Sequence, residues 1–135
     1  MTAKELAQRL NGREYCQEMT NEDRKLAMQS GLVVIYGCSD DLVEIDGAIR
    51  DEAGCYEGDT FRVTKDGVVY APDCGDSECA YYKAAVKEAK MIEAVWNNAG
   101  NPCWTYKTDI PHETFNIYED GELYCEGIVF RVEEL

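Results

Sequence analysis

Residues 77–97 read SECAYYKAAVKEAKMIEAVWN, and the reading of this stretch decides what the rest of the chain packs against. Tyr82, Ala85, Ala89, Ile92 and Trp96 recur at spacings of three and four, the repeat that gathers side chains on one face of an α-helix. Lys83, Lys87 and Lys90 fall on the opposite face. The spacing predicts an amphipathic helix from about Ser77 to Asn97, lying on a sheet.

The sheet is sought on either side of it. Leu32–Tyr36, LVVIY, is an apolar run of strand length bounded by glycines, as a strand buried on both faces would be. Phe61–Thr64 and Val68–Tyr70 flank Lys65-Asp66-Gly67, and Thr114–Tyr118 and Glu122–Val132 flank Glu119-Asp120-Gly121. Asp-Gly between alternating segments is a hairpin signal, because both residues accept the positive φ that a tight turn needs. Gly127 inside the last strand suggests a bulge. Trp104–Ile110 adds an extended segment that Pro111 ends.

Two short helices precede all of this. Thr2-Ala-Lys-Glu5 and Thr20-Asn-Glu-Asp23 each place a hydroxyl three residues before an acid, the capping-box pattern. Asn11-Gly12 and Gly31 stand where such helices end. Leu6 and Leu10 form one apolar stripe, and Leu26 lies on the second helix. The expectation is a single α+β domain over 1–135: a mainly antiparallel sheet of five or six strands, the long helix packed on one face, and the two short helices at the N-terminal side. The chain shows no apolar leader and no apolar run long enough to span a bilayer, which implies a cytoplasmic protein.

Charge narrows the function. The chain carries 13 Lys and Arg against 27 Asp and Glu, a net charge of −14. Gripping a phosphate backbone or an anionic membrane surface requires the opposite balance, so direct nucleic-acid or membrane binding is excluded. The charge is also uneven: residues 1–30 are neutral, 31–80 carry −9, 81–100 carry +1 and 101–135 carry −6. It is densest after the buried run, at Asp40, Asp41, Glu44 and Asp46, with Asp51, Glu52, Glu57 and Asp59 following. Glu44 and Asp46 alternate with Val43 and Ile45, so on a strand both acids share one side, about 6.6 Å apart. A one-sign face of this kind attracts a basic surface, such as the groove of a nucleic-acid-binding protein. The plain alternative is a solvated outer face that keeps the protein soluble.

Other chemistry is thinly represented. Cys74 and Cys79 are separated by four residues and could supply half of a tetrahedral zinc site, with Cys38, Cys55 or Cys103 completing it. No second paired-cysteine motif supports this, and seven cysteines without an export signal read as reduced thiols. His112, the one histidine, has no Ser or Cys motif to serve as a base, and no phosphate loop or metalloprotease pattern is present. The Asp40, Asp41 and Glu44 carboxylates lack the spacing of a calcium loop. Tyr56, Tyr70, Trp104, Tyr106 and Tyr118 lie on or beside strands, mostly as core, and several exposed together could stack a small ligand.

The segments GLVVIYGCSDDLVEIDGAIRDE, GCYEG and WTYKTDIPHETFNIYEDGELYCEGIVF resemble small acidic proteins encoded by phages and prophages of Gram-positive bacteria. The resemblance covers most of the chain and carries no site residue across. It implies a genomic setting, that of an accessory protein of a mobile element. Such proteins include inhibitors of bacterial defence, some of which act as acidic mimics of nucleic acid.

Together these readings lead to a non-enzymatic, anti-CRISPR-like inhibitor without cofactor, whose partner is a basic nucleic-acid-binding protein of the host. The rival is a small-ligand-binding protein that sequesters a nucleotide signal, which requires Arg50, Arg62, Lys107 or Arg131 to converge in one pocket. A zinc-stabilised structural module is the third possibility.

Overall fold

The computed structural model describes residues 1–15, 17–36, 44–47, 60–63, 69–70, 90–97 and 100–135. For 44–47, 60–63, 69–70, 91, 94 and 96 the description is of the backbone. Two helices, α1 (Ala3–Leu10) and α2 (Asn21–Gln29), bracket a short strand, β1 (Arg13–Glu14). The strands that follow are β2 (Leu32–Tyr36), β3 (Glu44–Gly47), β4 (Thr60–Val63), β5 (Val69–Tyr70), β6 (Lys90–Trp96), β7 (Trp104–Thr108), β8 (Glu113–Glu119) and β9 (Glu122–Arg131). A 3-10 turn over Val132–Glu134 follows β9.

Both helices start as their sequences dictate. The Thr2 hydroxyl accepts from Glu5 N at 3.1 Å while the Glu5 carboxylate accepts from Thr2 N at 3.2 Å. Thr20 and Asp23 make the same reciprocal pair at the start of α2. Each box satisfies amide donors that have no partner inside the helix. Leu6 and Leu10 are fully buried, so the α1 stripe packs inward against β8 and β9. On α2 the buried positions are Asp23 and Ala27, and Leu26 is only half-buried.

The strands form one sheet with a fork. Its path runs β1-β8-β9-β7-β6-β4-β5, and β2 joins through β9 and carries β3 on its other edge. The ten residues of β9 explain the fork. One edge is taken by β8, from Glu119↔Glu122 to Glu113↔Val129. The other is shared: Ile128–Arg131 pair with β2, and Cys125 pairs with Trp104 of β7. With strands on both edges, β2 is central, and all five of its residues are buried. That is why LVVIY has no polar alternation.

Two expectations are corrected. The sheet is mixed rather than mainly antiparallel, because β1 runs parallel to β8 and β7 parallel to β9. Nine strands are described, several of only two to four residues. No long helix occurs among the described residues. Residues 90–96, assigned above to its C-terminal turns, form β6, pairing antiparallel with β4 and with β7; 77–89 lie outside the described residues. The misreading has a physical cause. Ile92 and Trp96 are four apart, an even spacing that suits a strand of period two as well as a helix of period 3.6. The neighbouring edges of β4 and β7 then decide the conformation.

Both hairpins form. Arg62↔Tyr70 and Val63↔Val69 join β4 to β5. The β8–β9 turn places Asp120 at φ 51° and Gly121 at φ 81°, the two consecutive positive values that select Asp-Gly there. The bulge sits elsewhere than expected. Ile117 pairs with Cys125 and Tyr118 with Leu123, so Tyr124 is the extra residue. Gly127 is instead a packing glycine. It lies opposite Phe115, and a Cβ there would come within 2.6 Å of Phe115 Cε1 and closer still to Cζ.

Candidate acidic interface

The fold places the expected acidic residues in part. Glu44 and Asp46 both lie on β3, in register with Tyr36 and Val34 of β2. They are two residues apart on one strand, as the alternation requires. Asp40, Asp41, Asp51, Glu52, Glu57 and Asp59 lie outside the described residues, as do Cys74, Cys79 and Arg50.

A second group of carboxylates, not singled out from the sequence, gathers at the β8–β9 turn. Glu119, Asp120 and Glu122 are exposed there. Glu14, at the end of β1, reaches the same turn, its Oε2 accepting from Asp120 N at 3.1 Å. Glu119 and Glu122 face each other directly across the ladder, an arrangement of like charges that weakens a strand pair. Among the described residues, no Lys or Arg forms an ion pair with either of them. The signal available in the sequence was EDGE itself; what it lacked was the register that sets the two glutamates opposite, and the arrival of Glu14.

Beside this turn stands an aromatic pair. The rings of Tyr15 and Tyr124 lie 5.3 Å apart at 57°. Tyr15 is 38% exposed, and Tyr124 is half-buried against the core. Tyr15 N donates to Tyr118 O at 2.7 Å, which prolongs the β1–β8 contact by one residue and fixes where the ring stands.

One carboxylate is set apart from the acidic surface. Asp23 is fully buried and is held by both arms of a cationic clamp. Arg9 Nε donates to Oδ1 at 2.7 Å, Arg13 donates to both oxygens, and Thr20 donates to Oδ2 from its amide and its hydroxyl, each at 2.8 Å. Burial alone would push this carboxyl up; the hydrogen bonds from Arg13, Arg9 and Thr20 outweigh it and hold it well below the usual range. The cluster ties α1, β1 and α2 together. Its partners are 10 and 14 residues from Asp23 in sequence, which hid it from local pattern reading.

Among the described residues, the features of the rival readings are dispersed. Arg131 is engaged by Glu133 at 2.7 Å and Glu134 at 2.8 Å. Lys107 on β7 stands opposite Glu93 on β6, and Arg62 lies on β4, two strands from β7. A groove of about 700 Å³ at the ends of β6 and β7 carries Lys90, Lys107 and His112, but also Glu93, Asp109 and Glu134. Its mixture of signs gives a phosphate no net attraction. The ring of His112 is a loop contact, with Nδ1 2.7 Å from Ile110 O. Trp104 and Tyr106 are buried, as core aromatics are. Cys103 and Cys125 are buried, and among the described residues no group of three or more His, Cys, Asp or Glu is placed to hold a metal ion.

No protein-family model, no curated protein and no solved structure matches this chain. Among the described residues, no helix is long and apolar enough to cross a membrane.

Proposed function

We propose that this chain is a non-enzymatic inhibitor of the phage type, an acidic mimic of nucleic acid that occupies the basic groove of a host defence nuclease or nucleoprotein. The observation that carries the reading is the surplus of carboxylates, 27 against 13 basic groups, with Glu44 and Asp46 on β3 and Glu119, Asp120 and Glu122 exposed at the β8–β9 turn among the described residues. A regular strand sets the backbone positions of Glu44 and Asp46 about 6.6 Å apart on one side, a one-sign row of the kind a basic surface is drawn to. The unrelieved pair of Glu119 and Glu122 fits the same reading, because sites kept for a partner tolerate repulsion that a purely structural surface would not. The resemblance to proteins of mobile elements belongs to this proposal and supplies its biological setting.

The test begins with tagged protein, used to capture its partner from the host and identify it. Purified partner should then lose its nucleic acid in competition with the chain, and the affinity of the complex should fall steeply as salt rises. Reversing Glu44 and Asp46 together to Lys should weaken binding at least tenfold, since attraction becomes repulsion. A partner whose affinity ignores salt, and which binds the reversed variant as tightly as the parent, would overturn the reading and leave the charge a matter of solubility.

A further inference from the structure

We propose that the groove at the ends of β6 and β7 binds a free α-amino acid, held by its ammonium and its carboxylate at once. The site shares no residue with the acidic interface and goes beyond the function proposed above. At about 700 Å³ the groove lies within the size range of small-molecule sites. Its walls come from β6, β7 and the loop that runs on from β7 to His112. Antiparallel register sets Glu93 of β6 directly opposite Lys107 of β7, so the two side chains leave the sheet on one face with Cβ atoms about 5 Å apart. Both residues line the groove, and both are exposed. Among the described residues neither forms an ion pair, with the other or with a third group.

The chemistry of this lining selects its occupant. An acid and a base that face each other without closing present one anionic and one cationic group side by side. An α-amino acid carries the complementary pair on a single carbon. Its ammonium can meet Glu93 while its carboxylate meets Lys107, each through a charge-assisted hydrogen bond. A phosphate would satisfy Lys107 and confront Glu93 and Asp109, and a simple amine would satisfy the acids and confront Lys90 and Lys107. A peptide carries its two end charges on different residues, too far apart for one facing pair. His112 adds an acceptor to the wall. Its Nδ1 lies 2.7 Å from Ile110 O; a carbonyl only accepts, so Nδ1 holds the proton and the neutral ring keeps a lone pair on Nε2. Tyr106, Ile110 and Pro111 give the groove its apolar lining, which suits an apolar amino-acid side chain. Glu134 is already engaged by Arg131.

L-Phenylalanine is the probe, titrated into the intact chain while the amide signals of residues 106–112 and the ring signals of His112 are followed by NMR. Phenethylamine, which lacks the carboxylate, and 3-phenylpropanoate, which lacks the ammonium, carry the same ring and serve as controls. The expected result is saturable shifts with phenylalanine at millimolar concentration, and affinity about tenfold weaker for either control. Lys107→Gln should weaken phenylalanine binding about tenfold and leave phenethylamine bound no more weakly than by the parent. Glu93→Gln should weaken phenylalanine to the same extent and leave 3-phenylpropanoate bound no more weakly. Equal affinity for the three ligands overturns the proposal, as does inorganic phosphate binding more tightly than phenylalanine. The absence of a saturable shift with phenylalanine overturns it outright. The three ligands decide the matter on the unaltered chain, and a thermal melt of each variant confirms that folded protein is being compared. None of these outcomes touches the acidic reading, whose residues lie elsewhere.

Discussion

Asp23 is the residue at which the competing demands of this fold are most sharply resolved. A buried carboxylate is costly unless it is fully paired, and here two guanidiniums, an amide and a hydroxyl converge on it. Removing the charge in Asp23→Asn should cost about 3 kcal/mol, because Arg9 and Arg13 would face a neutral amide that cannot accept from both as an anion does. The sign of the pH dependence follows from the lowered carboxyl. A group whose folded value lies below its ordinary 3.8 contributes its stability above that value and loses it as pH falls below it. The melting-temperature gap between parent and Asp23→Asn should therefore stay level from pH 8 to about pH 5 and narrow towards pH 2. A gap that widens in acid would contradict the clamp. The capping-box role of Asp23 was legible from Thr20 alone. Its larger role was not, since the two arginines arrive from other elements.

Between elements, the close approach of β8 and β9 has a single point of least tolerance. Phe115 is 1% exposed, so its ring has nowhere to go when a methyl appears at Gly127. Gly127→Ala should destabilise the protein by about 1–3 kcal/mol, the range for overpacking a filled site. Phe115→Leu added to that variant should recover part of the loss in a denaturant titration. A harmless Gly127→Ala would mean the strands can separate there, against the register seen. This element also shows what pattern reading captures. The Asp120-Gly121 turn, the pairing of β4 with β5, both capped helices and the buried run Leu32–Tyr36 were read from residues close in sequence, where the physics is local. The glycine was noticed but given the wrong role, since its reason is a ring twelve residues away. Residues 90–96 were given the wrong period, because their apolar spacing suits both a helix and a strand. The β1–β8 and β7–β9 contacts, which make the sheet mixed, depend on pairings between segments far apart and left no trace in either strand.

For the molecule as a whole, the excess of acid acts on folding and on binding with opposite signs. A net charge of −14 repels itself in the compact state and attracts a basic partner. At physiological ionic strength the reach of such fields is about 8 Å. Raising sodium chloride from 20 to 500 mM should accordingly raise the melting temperature of the free chain while weakening its complex. A melting temperature that falls with salt would show attraction within the chain outweighing repulsion. Of the candidate interface, the charge and the alternation of Glu44 with Asp46 were readable directly. The hairpin carboxylates and the tyrosine pair needed the tertiary register that brings β1 to β8.

The central place of β2 has a consequence in time as well as in space. Its partner β9 is made almost a hundred residues after it, so during synthesis Leu32–Tyr36 waits with one edge unsatisfied while most of the remaining chain emerges. At about 5–20 residues per second that interval lasts several seconds or more. Five apolar residues with strong strand propensity are the kind of segment that associates with copies of itself if left uncovered. The sequence that follows immediately is acidic, beginning with Asp40 and Asp41. Like charge beside such a run on every copy opposes that association.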